Sequence, residues 1–366
     1  MLRRIAVAVV VVGCLGFCVI GQLGEQPLEE LALEIRSGLD AQSLACEFSG
    51  VVLLAHEGIP FYQAAYGMAD RGAGLPNRLD TKFNLGSMDK MFTSIAIMQL
   101  RDRGLLDLDD PIDEYLPDLP IVGAEQCPTV RQLLSHQAGF GNYFEHPDYL
   151  DAHTGIRSLD DYCALIAGEP LLFEPGTDFG YSNSGFIVLG LIVEAVSGVS
   201  YYDYVLDRIH RPTGMYDTDC YEWDRCVPNL AVGYTSRDWD GNDTDEIIRN
   251  ELVLPTKGGS AGGGYSTAPD LLAFANALMA YELLSPESTE YMLEGKVELF
   301  PGLAYAYGFF DRVVEGHRMV GHGGGFQGIC CMLSIYPEID LTVIILSNTD
   351  RGCTNANGPI LEILLK

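Results

Sequence analysis

The sequence predicts an α+β fold, an α/β sandwich in which both ends of the chain build one central antiparallel sheet. Short apolar strands at hairpin spacing occur near the N-terminus and again near the C-terminus. Residues 105–255 between them favour helices joined by irregular connections rich in Pro and Gly. We therefore expect helices to flank the sheet and a mostly helical subdomain to be inserted into it.

The predicted elements follow from hydrophobic periodicity and from residues that typically begin or end a helix. Strands at 49–56 and 60–66 are joined by a turn at Glu57-Gly58. The helix that starts at Ser87 is apolar nearly all round from Met91 to Met98, which predicts that it is buried. The other predicted elements are helices at 25–41, 130–136, 159–167, 184–196 (capped by Asn183 or Ser184), 269–280 and 359–365, and strands at 304–313, 318–321, 329–336 and 341–347.

Length and charge narrow the function classes. The 366 residues are 48% hydrophobic, which is enough for one large domain over residues 25–366. The formal net charge of −29 repels phosphate backbones, so nucleic acid is not expected as a partner. The charge does not exclude a small-molecule, peptide or ester substrate.

The N-terminal segment predicts export. A basic start, Met1-Leu2-Arg3-Arg4, precedes an apolar run at 5–20 that is short for a membrane span. Residues 1–24 are therefore predicted to be a signal peptide. Val11-Val12-Gly13-Cys14 also resembles a lipobox, which would leave a lipoprotein anchored to the membrane at Cys14. The protein is expected to be periplasmic, extracellular or membrane-anchored.

The ten cysteines fit an oxidising compartment. Two lie in the predicted signal segment. Of the other eight, Cys220 and Cys226 are close enough in sequence to form a disulfide. No Cys-x-x-Cys, His-Glu-x-x-His or similar spacing is present, so no metal site is expected.

The stretch FNLGSMDKMFTS contains the first candidate for chemistry, Ser87 with Lys90. Residues three apart share one helix face, so the amine of Lys90 lies over Ser87. Burial lowers the pKa of a lysine, and a neutral amine can take a proton from serine. The chain has five lysines, and this is its one Ser-x-x-Lys sequence. The alternative is a helix cap followed by an exposed lysine.

Two further sequences supply partners for such a pair. Tyr181-Ser182-Asn183 lies at a loop-to-helix boundary, where a phenol can act in proton transfer if neighbouring cations lower its pKa, and an amide can bind a carbonyl. Residues 321–325, GHGGG, lie between two predicted strands, where glycines allow a substrate to approach and leave N–H groups free. Taken alone, Tyr181-Ser182-Asn183 is equally well explained as a helix cap, and GHGGG as a glycine hairpin.

Together these motifs resemble the penicillin-recognising serine hydrolases of the class C β-lactamase type, which include DD-carboxypeptidases, D-aminopeptidases and β-lactamase-like esterases. The resemblance covers roughly residues 45–350. It rests on FNLGSMDKMFTSIAIMQL, TVRQLLSHQAGF, FEPGTDFGYSNSGFIVLGLIVEAVSG, RPTGMYDT, AGGGYSTAPDLLAFANAL and GHGGGFQG.

The resemblance implies a β-lactamase/transpeptidase-like fold and two-step acyl transfer that needs no metal and no organic cofactor. It implies that Ser87 is the nucleophile, Lys90 its activating partner and Tyr181 the catalytic phenol. The N–H groups of Ser87 and Gly325 would form the oxyanion hole. The implied substrate-binding residues are Asn183, His322, Gly323 and Gly324, while His136 would hold a loop by hydrogen bonds.

One residue departs from the family pattern. His322 stands where relatives of the β-lactamase type have a lysine, so the fixed positive charge for a substrate carboxylate is missing. This favours a peptidase, of the D-Ala-D-Ala carboxypeptidase kind, or an esterase over a β-lactamase. Arg351, just after the last predicted strand, could supply the carboxylate contact instead.

Three other interpretations stay open. The first is a class C-like β-lactamase, and the second is a binding or scaffold protein that kept the fold without turnover. The third is an α/β-hydrolase with Ser260 in Gly-Gly-Ser-Ala-Gly as nucleophile. The order of motifs argues against the third, since its HGGG sequence should precede the nucleophile, and no helix starts directly after Ser260.

Overall fold

The computed structural model describes residues 27–239 and 242–365, and the predictions made for residues 1–24 lie outside these ranges. Its centre is an eight-stranded antiparallel sheet in the order β2-β1-β8-β7-β6-β5-β4-β3. The strands are β1 Gly50–His56, β2 Ile59–Tyr66, β3 Val297–Phe300, β4 Leu303–Tyr305, β5 Phe310–Val314, β6 His317–Phe326, β7 Ile329–Tyr336 and β8 Leu341–Ser347.

Both ends of the chain build this sheet, as predicted. The first strand pairs antiparallel with the last, from Gly50 opposite Ser347 to His56 opposite Leu341. In β1 the side chains alternate between two hydrophobic clusters: Val51 and Leu53 belong to one, and Val52 and Leu54 to the other. A strand that is buried on both faces has no polar side, and this explains the continuous apolar run at 51–55.

Five longer helices cover the two faces of the sheet. They are α1 Leu28–Leu44, α2 Asp89–Asp102, α3 Asn183–Ser197, α4 Ala268–Met279 and α5 Gly352–Leu364. The terminal helices α1 and α5 bury Leu31, Ile35 and Ile360 in the cluster on one face. The other three helices belong to the cluster on the opposite face, where α2 is buried nearly all round, as its composition predicts.

The region between α2 and α4 contains short helical segments and one exposed hairpin. It shares a single hydrophobic cluster with the inner face of the sheet. Its helical segments are Ile112–Glu114, Val130–Leu134, Tyr143–Glu145, Tyr149–Ala152, His153–Gly155, Asp160–Cys163, Tyr201–Val205, Leu206–His210, Arg211–Thr213 and Asn250–Leu252, and its hairpin pairs Tyr234–Arg237 with Asp243–Arg249.

The remaining short elements connect these parts: helical turns at Gly86–Met88 and Pro337–Ile339, the helix Pro286–Leu293, and the strand pairs Met68–Asp70 with Leu75–Pro76 and Phe83–Asn84 with Tyr265–Ser266. No single helix in the described part of the chain is long and apolar enough to cross a membrane; only the bent pair Asn183–Ser197 and Tyr201–Thr213 has that length and composition together.

Several predicted boundaries differ from the structure. The strand predicted at 304–313 is two strands, β4 and β5, separated by a turn, and β3 was not predicted. The strand predicted at 318–321 continues through the glycines to Phe326, because β7 pairs with it along that whole length. The last helix begins seven residues before the predicted start, and Pro359 lies inside it.

The predicted disulfide is wrong. Cys220 is buried, Cys226 is exposed, and both are free thiols. The structure instead joins Cys330 in β7 to Cys353 in α5, at a sequence separation of 23. Nearness along the chain does not bring two thiols together when one of them is packed into the core. The observed disulfide ties the terminal helix to the strand beside β6.

Candidate active site

Ser87 lies in a single helical turn that leads directly into α2. The turn is set by Asn84, whose Oδ1 accepts a hydrogen bond of 2.9 Å from the N–H of Gly86. Gly86 has φ +51°, and a Cβ there would come within 3.1 Å of the Gly325 nitrogen, so glycine is required. Ser87 is half-buried and lines a cavity.

Lys90 is completely buried one turn after Ser87, with 0% of its surface exposed. Its Nζ donates hydrogen bonds of 2.6 Å to Asn183 Oδ1 and to the carbonyl of Ala261. Burial lowers the pKa of Lys90 from 10.5 to about 7, and the neighbouring Asp89 acts in the opposite direction. The amine is therefore available as a proton acceptor near neutral pH, as the sequence predicted.

Asp89 was not predicted as part of the site. Its buried carboxylate accepts a hydrogen bond from the N–H of Gly264, and burial raises its pKa to about 7. A Cβ on Gly264 would lie 2.7 Å from the carboxylate, so this contact needs glycine. Asp89 thereby fixes the end of the glycine run 258–264 against the start of α2. Nothing in the sequence indicated this contact, because Gly264 lies 175 residues from Asp89 along the chain.

Ser260, the rival nucleophile, is fully buried in the same glycine run. Its Oγ has no hydrogen-bond partner among the described residues, and its carbonyl accepts a bond of 2.6 Å from Thr93 Oγ1. A Cβ on Gly190 would lie 2.3 Å from that Oγ, which shows how closely α3 covers it. Together with the antiparallel sheet, this excludes the α/β-hydrolase interpretation.

Tyr181 faces the same cavity as Ser87. Burial raises the pKa of the phenol, and the nearby Ser87 hydroxyl opposes this with a smaller effect. Lys90 Nζ lies 4.9 Å from the ring centre. The lowered pKa that we set from sequence as a condition for proton transfer by this phenol is therefore not found. A neutral phenol in this position can relay a proton rather than act as a free phenolate.

Asn183 lies at the start of α3. The sequence predicted Asn183 or Ser184 as the cap of this helix, but the cap is Ser182. Its side chain is held by Asn142, which the sequence did not single out. Asn142 Oδ1 accepts bonds of 2.9 Å from both the backbone N–H and the side-chain Nδ2 of Asn183. These two bonds turn the amide so that its oxygen faces Lys90.

His136 holds the loop before α3, as predicted. Its Nδ1 accepts a hydrogen bond of 3.1 Å from the N–H of Ser182, and its carbonyl accepts one of 2.9 Å from Gly180. The ring lies 4.3 Å from that of Tyr181. Because the residue is buried, the pKa of His136 lies well below its ordinary value, so the ring supports Tyr181 as a neutral group.

The GHGGG sequence lies inside β6 and not between strands. β5 pairs with β6 only as far as Gly321, so the later part of β6 has an edge that β5 does not cover. This edge lies against the turn that carries Ser87: a Cβ on Gly324 would come within 1.8 Å of the Leu85 carbonyl oxygen. Gly325, next in the strand, lines the cavity together with Ser87.

His322 and Arg351 do not line this cavity. The His322 ring is buried, with Nδ1 2.6 Å from the Gly323 carbonyl and Nε2 3.4 Å from the Tyr305 hydroxyl. Burial, and then Lys90, lower the pKa of His322 to about 3, so the ring is neutral in the working range. Arg351 is exposed before α5, and its guanidinium is 4.0 Å from Asp243.

The cavity measures about 240 Å³. No residue that lines it carries a charge; they are Asn84, Gly86, Ser87, Asn142, Tyr143, Phe144, Tyr149, Tyr181, Asn183, Leu254, Pro255, Ala261, Gly262, Gly263, Gly325, Phe326 and Ile329. The described residues also contain no group of three or more His, Cys, Asp or Glu side chains placed to hold a metal ion.

Comparison with known proteins agrees with this geometry. A model of the beta-lactamase family matches residues 41–364. The chain belongs to this family. It is 31% identical over 326 residues to penicillin-binding protein 4* of Bacillus subtilis (strain 168), an alignment that covers 83% of this chain and 69% of that protein. It is 34% identical over 378 residues to esterase EstB of Burkholderia gladioli, an alignment that covers 88% of this chain and 94% of that protein.

A penicillin-binding protein from Bacillus halodurans has the same fold, with a TM-score of 0.81 and 32% identity over 90% of this chain and 98% of that one. Relatives in this family are serine hydrolases, and the chain is a serine hydrolase that acts as a peptidase or esterase. The predicted family and fold class are thereby confirmed.

Proposed function

We propose that this protein is an esterase that works through an acyl-enzyme on Ser87. The observation that carries the proposal is that Ser87 opens into a cavity whose described lining has no charged side chain, while the amine of Lys90 lies buried behind it. A hydrolase with this arrangement has a base for acylation but no cation for a substrate carboxylate.

In the first step, Ser87 Oγ attacks the ester carbonyl and its proton passes to the neutral amine of Lys90. The developing oxyanion accepts hydrogen bonds from the N–H groups of Ser87 and Gly325. When the carbon–oxygen bond of the ester breaks, the alkoxide receives a proton from the Lys90 ammonium through the hydroxyl of Tyr181. The product alcohol leaves, and the acyl group stays on Ser87.

In the second step, water attacks the acyl-enzyme and gives its proton to the same amine, again through Tyr181. The Ser87 oxygen leaves as an alkoxide and is reprotonated, which restores the free enzyme. Asn183 keeps the Lys90 amine in place through its 2.6 Å hydrogen bond. Gly323 and Gly324 do not line the cavity, and Gly324 packs against Leu85, so Gly325 is the glycine of β6 that we assign to the substrate carbonyl.

A carboxylate-bearing substrate is disfavoured. Penicillins and peptides ending in D-Ala-D-Ala carry a carboxylate near the bond that is cleaved, and a buried carboxylate needs a cation or several donors. His322 is neutral and turned away, and Arg351 lies outside the cavity lining. The 34% identity to an esterase over 88% of the chain supports the same choice.

The test is the intact mass of the protein after brief incubation with a fluorogenic penicillin and, separately, with a short-chain nitrophenyl ester. We expect an ester-derived adduct on the wild type, none on Ser87→Ala, and faster turnover of the ester than of the penicillin. Near wild-type turnover by Ser87→Ala would refute the role of Ser87. Faster turnover of the penicillin would favour the β-lactamase alternative, and no adduct or product at all would favour the binding protein.

We further propose that the protein is exported, with Cys14 as a site of lipidation and membrane attachment. The Cys330–Cys353 disulfide supports an oxidising compartment. Relatives include penicillin-binding proteins and a teichoic acid D-alanine hydrolase from Staphylococcus aureus. Metabolic labelling with a palmitate analogue tests this: wild type should be labelled and Cys14→Ser should not.

A further inference from the structure

The catalytic cavity has an aromatic wall that begins next to Gly325. Phe326 follows Gly325 at the end of β6, and Phe144 faces it from the helical turn Tyr143–Glu145. Their ring centres are 5.9 Å apart at an angle of 55°. Tyr149 and Ile329 are buried beside them and line the same cavity. Whatever is attached to the carbonyl at Ser87 therefore meets an apolar surface.

A second layer supports this wall from the exposed hairpin. Trp239 stacks on Tyr149 with ring centres 5.5 Å apart and planes at 19°. Gln327, directly after Phe326, donates a hydrogen bond of 2.7 Å to the Asp238 carbonyl. The wall is thus built from three separate parts of the chain that hold one another in place, and its shape is fixed before any substrate binds.

Charges near the wall face away from it. Glu145 adjoins Phe144 but takes a hydrogen bond of 3.4 Å from Asn142 Nδ2 and borders a different cavity. Lys90 is occupied by Asn183 and Ala261. An ammonium or carboxylate on a bound acyl group would therefore be desolvated without a partner, which is costly. The net charge of −29 adds long-range repulsion for anions.

The size of the cavity and the time that the acyl group spends in it indicate that the wall binds the acyl side of the substrate. The alcohol leaves for solvent after the first step, whereas the acyl group stays through both steps and gains most from an enclosed apolar surface. A volume of about 240 Å³ corresponds to roughly eight water molecules. That space accepts a chain of roughly four to eight carbons, or one aromatic ring.

We propose that the wall formed by Phe144, Phe326, Tyr149 and Ile329 is an acyl subsite, and that the substrates are esters of uncharged, apolar acids of medium length. The proposal rests on the proposed esterase function. Phe326 determines specificity, since it links the oxyanion donor Gly325 to this wall. Each methylene that enters the subsite should raise kcat/KM about fourfold.

The first experiment compares nitrophenyl acetate, butyrate and hexanoate. We expect kcat/KM to rise about 15-fold from acetate to butyrate and further to hexanoate. In Phe326→Ala the ratio of butyrate to acetate kcat/KM should fall to less than threefold, whatever the rate with acetate. Phe300→Ala, which removes an exposed phenylalanine on β3, is the matched control and should keep the full rise. A wild type without chain-length dependence, or a Phe326→Ala variant with the full rise, would overturn the subsite.

The second experiment tests charge with isosteric substrates. Nitrophenyl 5-methylhexanoate should be hydrolysed at least 50-fold faster than the monoester of glutarate, corrected for spontaneous hydrolysis, and methyl 3-phenylpropanoate faster than D-phenylalanine methyl ester, which adds an ammonium. Phe326→Arg should improve the glutarate ester at the expense of the neutral one. Preference of the wild type for either charged ester would refute the proposal. In every case Ser87→Ala tests the esterase function separately. If this variant loses all turnover, the esterase function stands, and the substrate comparisons then bear only on the acyl preference.

Discussion

Replacing Lys90 by methionine should abolish acylation and also change how stability depends on pH. Lys90 is completely buried, and its pKa falls from 10.5 to about 7 on folding because burial disfavours its charge. Each pKa unit is worth about 1.4 kcal/mol, so below pH 7 the folded protein bears a cost of about 5 kcal/mol for this amine. Methionine has nearly the same length and no charge.

The direction in which stability changes with pH follows from how many protons the folded and unfolded chains bind. Between about pH 7 and 10.5 the unfolded chain holds a proton on Lys90 that the folded chain does not, so the unfolding free energy of the wild type rises with pH over this window. The methionine variant lacks this contribution. Its stability relative to wild type should therefore fall by roughly 2 to 3 kcal/mol between pH 8 and pH 10. The hydrogen bonds that Asn183 and Ala261 lose are independent of pH and cancel in this comparison.

Urea unfolding of both proteins at several pH values measures the difference, with intrinsic fluorescence as readout. Lys296→Met, which removes a half-buried lysine paired with Glu294, is the control and should show no comparable trend. A stability difference between wild type and Lys90→Met that stays constant from pH 8 to 10 would show that the amine is not neutral in the folded protein, and the role of Lys90 as base would fail with it.

Three further predictions concern the same site. Ester turnover should rise with pH through a midpoint near 7, where Lys90 becomes neutral, and a profile flat from pH 5 to 9 would contradict this. Asn142→Leu should lower kcat about 5- to 100-fold, since it removes two hydrogen bonds from Asn183, while Asn142→Asp keeps the acceptor and should recover part of the rate. His322→Lys should raise kcat/KM for penicillin about tenfold or more by supplying the missing charge, and no gain would refute the charge argument.

The proposed pair of Ser87 and Lys90 could be predicted from sequence because it depends on local spacing. Ser87 and Lys90 sit one turn apart in any helix, so the structure had only to bury the amine. The strands β7 and β8 were predicted at their observed limits, since a strand buried on both faces leaves an unbroken apolar run between polar turns.

Other features depend on tertiary contacts that no local pattern encodes. Asn142 lies 41 residues from Asn183, and only folding brings them to 2.9 Å. The extension of β6 through its glycines is set by pairing with β7. For the same reason the pairing of Cys353 with Cys330 was not predicted: the final helix packs on β7, while Cys220 is buried as a free thiol.

The buried charges show why this site is costly to fold and still kept. Asp89 and Lys90 are adjacent, both completely enclosed, and burial moves the pKa of each toward 7 from opposite sides. An apolar pair of equal volume would pack there without that cost. What the charged pair provides is an amine that changes protonation near neutral pH, placed behind a serine in a cavity without other charges. In the proposed esterase the buried amine takes the proton that Ser87 must lose, and the cavity in front of it has no charged side chain in its described lining.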